Sequence, residues 1–409
     1  MQKGYYNYVG IYTSSFMAIG MLFPLLGQYL SSIGFTGVQI GVITATATAI
    51  GIGASPFWGC RYHNSKNSKR IVLFLCTFVM LVVVGLLFIK EYVLFLIIYA
   101  LFTFFQAPIM PLSDAMTLEA RMPFGAVKKW GAIGFALGVF IAGQIAYLTG
   151  LVIIFPLCAF GFFITGLIVW LMMRRKKSKE TNGTLADTKE MFTDTVNDKL
   201  DCDFGSEIKE KTEGFGVLFS NKRFMALLFS AFFICGTNIA NNNYFGFLYT
   251  GVGGSVAGIG IAFLLMCGSE APFMAWTERI SSKFTQERMI LISMIISALR
   301  YFWYSTRPSP ELLIGTFFLQ GMVNGIILIE FVKYIAKLVE PAMIGMAMTL
   351  YQAISSNCST IICQLIGGAI LDSYSGVEVY LFFGIYNVIG IILYVGFGLH
   401  QVKLSSVGV

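Results

Sequence analysis

Histidine and charge are scarce in this chain. Two of its 409 residues are histidine and 12% are Asp, Glu, Lys or Arg, about half the charged share of an ordinary soluble domain. His63 and His400 are far apart, and no His-Glu-x-x-His sequence occurs, so a histidine-based metal site has almost no material. The eight cysteines, among them Cys76, Cys158, Cys235, Cys267 and Cys363, include no Cys-x-x-Cys pair. That scatter argues against a disulfide framework, and each free cysteine reads as a small apolar residue. A Gly-x-x-x-x-Gly-Lys-Ser/Thr loop is also absent, which excludes a P-loop nucleotide-driven pump. No metal, no cofactor and no enzymatic activity are expected.

What the chain has in excess is apolar surface. Hydrophobic residues make up 56% of it, and they gather in twelve runs read at 5–30, 38–60, 71–89, 93–114, 126–149, 151–173, 222–249, 254–277, 288–306, 311–336, 342–370 and 377–399. A bilayer core about 30 Å thick is crossed by roughly 20 apolar helical residues. Lipid offers no partner to free backbone groups, so each run must be a helix or part of a closed barrel. Continuous runs of this length lack the alternation of barrel strands. The fold class is therefore an all-α membrane protein of twelve transmembrane helices.

Positive charge falls in alternate gaps. Arg61, Lys66, Lys69 and Arg70 follow the second run, Arg121, Lys128 and Lys129 flank the fourth gap, and Arg174, Arg175, Lys176, Lys177 and Lys179 follow the sixth. The intervening gaps offer little beyond Lys90 and Arg307. The positive-inside rule then places both termini in the cytoplasm. The net charge of +7 is this topological signal, not a nucleic-acid footprint. The first run is too long for a cleavable secretory signal. Hydrophobicity collapses between the sixth and seventh runs, which divides the chain into a six-helix half at 1–173, a polar cytoplasmic linker at 174–221 and a second six-helix half at 222–409.

The halves echo each other. Ala54-Ser55-Pro56-Phe57 ends the second run and Glu270-Ala271-Pro272-Phe273 occupies the matching place in the eighth; Gly143-Gln144-Ile145-Ala146 and Gly367-Gly368-Ala369-Ile370 end the fifth and eleventh. Two parallel six-span repeats are the plan of transporters that rock one half against the other around a central site.

Longer motifs follow that plan. Pro111-Leu112-Ser113-Asp114-Ala115, Phe124-Gly125, Lys128-Lys129-Trp130-Gly131-Ala132-Ile133-Gly134-Phe135, Asn243-Tyr244-Phe245-Gly246-Phe247, Ser269-Glu270-Ala271-Pro272, Leu299-Arg300 and Leu319-Gln320-Gly321 occur in order. In these the chain resembles the major facilitator superfamily, and more narrowly the branch of lactose permease, nucleoside/proton symporters and phenylpropionate permease. The resemblance covers essentially everything but the linker and implies the two-repeat major facilitator fold. Three departures stand out. Arg61-Tyr62-His63-Asn64 lacks the acid usual in the loop after the second span, Lys128 stands where the branch has an arginine, and Gln320-Gly321 replaces a tenth-span histidine. Lysine cannot reproduce the planar bidentate contact of arginine, and a histidine step in proton transfer is not implied.

An ionised group at mid-bilayer costs on the order of 3 kcal/mol even on lenient scales. The few such groups are therefore the candidates for proton coupling: Glu270 with Arg300, on consecutive spans at similar depth, and Glu330 with Lys333, three apart on one helix face. Each has a structural alternative as a permanent pair, favoured for Glu330 and Lys333. Asn241, Asn242 and Tyr244 of the seventh span, Gln320 and Asn324 of the tenth, and Tyr12 and Gln28 of the first are the candidates for solute binding, since amides and rings suit a hydroxylated or aromatic ligand. Asp114 and Lys128 lie near cytoplasmic helix ends as gate candidates. The expected function is alternating-access secondary transport, with proton-coupled import of a sugar, nucleoside or aromatic acid ahead of proton-coupled drug or metabolite export. A non-transporting sensor on the same fold is the rival from another class. The expected partners are the solute, protons and lipid, with no nucleic acid, and the expected setting is a monomer in a bacterial inner membrane.

Overall fold

The computed structural model describes residues 4–65, 68–182, 218–281 and 285–401. Its helices are α1 (Tyr5–Ser32), α2 (Gly37–His63), α3 (Ser68–Leu86), α4 (Tyr92–Gln106), α5 (Ile109–Glu119), α6 (Phe124–Thr149) and α7 (Ile154–Asn182). After the 183–217 segment come α8 (Lys222–Gly251), α9 (Val256–Ser281), α10 (Gln286–Tyr304), α11 (Pro310–Thr316), α12 (Phe318–Leu338), α13 (Ile344–Leu350), α14 (Ser359–Ser373) and α15 (Gly376–Gly396). Most of the expected linker therefore lies outside the described residues.

Among the described residues, eleven helical stretches are long and apolar enough to cross a membrane. The expected ninth span forms as α10, but Glu287, Arg288 and Arg300 within its nineteen residues keep it out of that set. Three expected spans are broken helices, the tenth at Phe317 between α11 and α12. The fourth passes from α4 to α5 through Ala107 and Pro108, where proline removes a backbone donor and crowds the preceding turn. The eleventh runs from α13 through π-helical turns at Tyr351–Cys358 into α14.

Short connections make successive spans alternate in direction within α1–α7 and within α8–α15, and the ends of α1 and α8 meet at Gln28 and Thr250, so both described ends lie at one face, called here the terminal face, and α1 ends at the opposite, far face. Helix α1 packs along α6 and α7, and α8 along α15. The two sets of helices meet where α6 packs on α9 and α2 on α14. With no water to drive helix association inside lipid, close approach has to come from small residues. The α1–α6 seam has them: a Cβ added at Gly20 would meet the backbone of Phe135, one at Gly134 that of Thr13, and one at Gly138 that of Met17.

Since the backbone of Thr13 cannot yield as a flexible side chain would, Gly134→Ala should destabilise the protein by about 1–3 kcal/mol. Gly125→Ala, which meets nothing within 4 Å, should be near neutral. Melting of the two purified variants in detergent, followed by intrinsic fluorescence, checks this; equal melting temperatures would remove the seam's claim to be close-packed.

Candidate functional site

A cavity of about 820 Å³ lies between the helices of the two sides. Its inner end is lined by Phe23, Pro24, Thr44 and Gln364, its middle by Thr48, Tyr99, Thr103, Gln106, Asn242 and Asn243, and its mouth by Ser55, Pro56, Pro111, Met348 and Thr349. Ser55 and Pro56 stand toward the terminal-face end of α2 and Met348 and Thr349 on α13, which begins at that face, so the cavity opens that way.

The backbone breaks shape it. Pro24 and Pro56 interrupt α1 and α2 from within, and Gln106, Ala107 and Pro111 bracket the α4–α5 break. The π-helical turns contribute Gln352, Ala353 and Asn357. Such turns interrupt the α-helical hydrogen-bond ladder and recur at functional sites. Every polar group lining the cavity among the described residues is a hydroxyl or a carboxamide, and none is ionisable at neutral pH. These groups donate to and accept from neutral oxygen and nitrogen, while offering no cation for a carboxylate.

The cavity is closed toward the far face by contacts between the two sides. Asp372 of α14 accepts hydrogen bonds from the backbone amides of Gly37 and Val38, the latter at 2.8 Å. Gly41 and Gly368 bring α2 and α14 into backbone contact. Gln144 donates to the carbonyl of Ala257 at 3.3 Å, joining α6 to α9. Thr250 donates to Gln28 at 3.4 Å, joining α8 to α1.

Of the solute-binding residues expected from sequence, Asn242 lines the cavity, with an Oδ1 that has no hydrogen-bond partner. The others sit elsewhere. Tyr12 is buried and bonded to Asp114. Gln28 belongs to the far-face closure. Tyr244 is buried and donates to the carbonyl of Gln364 at 2.6 Å. Asn241 accepts from Tyr380 at 2.7 Å. Gln320 donates to Asn324 at 3.0 Å and to Asn238 at 3.5 Å, and Asn238 also accepts from Tyr301. With Thr237, Asn387 and Ser297 these groups tie α8, α10, α12 and α15 into one buried polar network. The cavity residues that the sequence reading left out, above all Gln364, Gln352, Asn357 and Gln106, carried a usable signal: each is a carboxamide inside a run of membrane-spanning length.

The charged candidates separate in the same way. Glu270 makes no hydrogen bond or ion pair with any described residue, so the anticipated pair with Arg300 is open in this conformation. Arg300 is 3% exposed, and none of its three guanidinium nitrogens has a hydrogen-bond partner. Its guanidinium carbon lies 4.6 Å from the ring centre of Tyr301 and 5.5 Å from that of Tyr304, a cation–π arrangement that partly offsets its burial. Glu330 and Lys333 approach to 3.6 Å, the lysine 42% exposed and the glutamate buried. Lys128 and Asp114 pair at 2.8 Å, and Asp114 also holds the hydroxyl of Tyr12. All three stand on α1, α5 and α6, so this cluster bridges helices of one side only.

The sequence profile described as the MFS_1 like family matches residues 5–382. The chain is 28% identical over 385 residues to the maltose permease of Geobacillus stearothermophilus, covering 92% of this chain and 90% of that protein. It is 29% identical over 400 residues to the uncharacterized transporter YwbF of Bacillus subtilis, covering 95% and 92%. Among solved structures, that of the nucleoside transporter NupG superposes with a TM-score of 0.77 at 16% identity, covering 98% of this chain and 100% of that one.

Because Asp114 accepts from both Tyr12 and Lys128, Asp114→Ala should lower the melting temperature more than Lys128→Ala does. The exposed Lys128–Asp114 pair should contribute no more than about 1 kcal/mol in a double-mutant cycle. Equal losses in the two single variants would mean that the Tyr12 contact carries nothing.

Proposed function

This chain belongs to the MFS_1 like family, and from that premise we propose that it is a secondary active transporter that imports a neutral, hydroxyl-bearing solute by alternating access coupled to protons. The observation that carries this reading is the cavity between the two sets of helices, lined by uncharged hydrogen-bonding groups. Its volume falls within the 300–1,000 Å³ typical of small-molecule sites. Carboxamides and hydroxyls beside Phe23 and Tyr99 suit a sugar or nucleoside, whose hydroxyls bond while its ring face stacks. An aromatic acid would bury its carboxylate without a cation, a large cost. The relationship to a maltose permease favours the same solute class.

Positive charge beside alternate helix ends argues that the terminal face is cytoplasmic. On that orientation the conformation is inward-open, with the external side shut by the α2–α14 and α6–α9 contacts. The gradient enters at Glu270. An ionised carboxylate inside a bilayer is costly without a partner, so a Glu270 standing free of Arg300 is ready to hold a proton, and approach of the Arg300 cation in another state would favour its release. Glu330 with Lys333 is a helix-end pair, and Asp114 with Lys128 supports the end of α5 near the cytoplasmic opening. One chain contributes both walls of the cavity, so a monomer suffices, embedded in a bacterial inner membrane.

Lactose, maltose, uridine and 3-phenylpropionate form a panel that separates the solute classes. A neutral member should raise the melting temperature of purified protein, because a ligand of the folded state stabilises it, and 3-phenylpropionate should not. Stabilisation by 3-phenylpropionate alone would overturn the neutral-solute reading. In proteoliposomes with an imposed pH gradient, Glu270→Gln should lose uphill accumulation of the stabilising solute and keep equilibrative exchange. Accumulation at the wild-type level would remove Glu270 from the proton path.

A further inference from the structure

We propose that Gln364, Gly368 and Asp372, spaced four apart on one face of α14, form a graded bolt that holds the far face shut, and that Gln364 is where a cavity-bound solute draws it. The outer part is electrostatic. The first amides of a helix lack intrahelical partners and carry its positive end. In α2 these duties are divided: Thr36 accepts from Gln39 at 3.2 Å within its own chain segment, whereas Gly37 and Val38 donate to Asp372 on the other side of the molecule. A helix end that is normally capped locally is here completed from across the interface. It is left incomplete whenever the interface parts.

The middle part is steric. A Cβ added at Gly37 would meet the carbonyl of Gly368 at 2.6 Å, and one at Gly368 would meet the backbone of Gly37 and the Cα of Gly41 at 3.2 Å. Backbone therefore touches backbone, which brings the carboxylate of Asp372 within reach of α2.

The inner part lies in the cavity wall. The backbone of Gln364 is tied to its own side, its carbonyl accepting from Tyr244 at 2.6 Å. Its side chain reaches the other side, where Oε1 accepts from the hydroxyl of Thr48 at 3.3 Å. Thr48 has one hydroxyl proton and a second acceptor in the carbonyl of Thr44 at 3.0 Å. The bond to Gln364 can thus be surrendered without leaving Thr48 unpaired. Gln364, Thr44 and Thr48 all line the cavity, and a solute hydroxyl donating to Gln364 Oε1 takes the place of Thr48. This last step rests on the reading of the cavity as a solute site.

Hydrogen–deuterium exchange of the full-length protein in detergent tests the bolt, read on the backbone amides of residues 33–45 with those of α10 as an internal reference. Asp372→Asn keeps an acceptor but loses the charge, and should speed exchange in 33–45 several-fold with α10 unchanged. Gln364→Ala and Thr48→Val should each speed it less, and the double variant no more than either, since both remove one bond. Unchanged exchange in Asp372→Asn, or additive effects of Gln364→Ala and Thr48→Val, would overturn the bolt. The solute step is read with lactose or uridine, whichever raised the melting temperature in the panel above. That probe should speed exchange in 33–45 of the wild type and not of Gln364→Ala. Binding that leaves 33–45 unaltered would overturn the release at Gln364. If neither probe stabilises the protein, the neutral-solute reading fails with the solute step, while the ligand-free variants still decide the bolt.

Discussion

A hydrocarbon solvent offers a peptide group nothing to bond, and the architecture follows from that one constraint. Each crossing segment has to complete its own hydrogen bonds, so the chain is helical. Helices surrounded by lipid gain nothing from expelling water, so they adhere through close contact, and glycines stand where α1 meets α6 and where α2 meets α14. Places where the helical ladder is interrupted are tolerable only against protein or a wet cavity. The proline breaks of α1, α2 and α4–α5 and the π-helical turns before α14 all border the central cavity. The solvent therefore dictates both the regular parts of the molecule and the location of its irregular ones.

The same constraint explains what the sequence disclosed. Twelve apolar runs are visible because hydropathy is a property of the chain alone, and the described helices fall within a few residues of them. The ninth was legible as a run but is too charged to pass for a spanning helix by composition, and it is Arg300, Glu287 and Arg288 that give α10 this character. Functional positions are harder to read, because they depend on which way a side chain points around its helix. Asn241 and Asn242 are neighbours in sequence, yet one is locked to Tyr380 and the other faces the cavity. Tyr12 looked like a ligand for a solute and serves Asp114. Gln364 looked like one polar residue in an apolar run, and only the packing of α14 on α2 gives it a partner across the molecule.

Polar chemistry inside the molecule is sorted by location. The amides and hydroxyls of α8, α10, α12 and α15 bond to one another and join those helices, while Asn242 presents a free carbonyl oxygen to the cavity. Arg300 belongs to the first region, where Asn241 Nδ2, Ser293 Oγ, Tyr304 Oη and Gln320 Oε1 also lack hydrogen-bond partners, and is a buried cation held by aromatic faces and no hydrogen-bonded carboxylate among the described residues.

The π-helical turns at Tyr351–Cys358 have one more consequence. Successive residues of an α-helix step by about 100° around the axis, and residues bonded five apart step by less. Over eight residues the lag amounts to a large part of a turn, so α13 and α14 are out of phase although they form one continuous rod. The segment acts as a phase joint. The stripe that faces α2 at one end of the rod and the stripe that faces the cavity mouth at the other need not be aligned in sequence, and each is free to vary under its own demands. Removing a single residue from the joint would rotate one stripe against the other while leaving the composition of both intact.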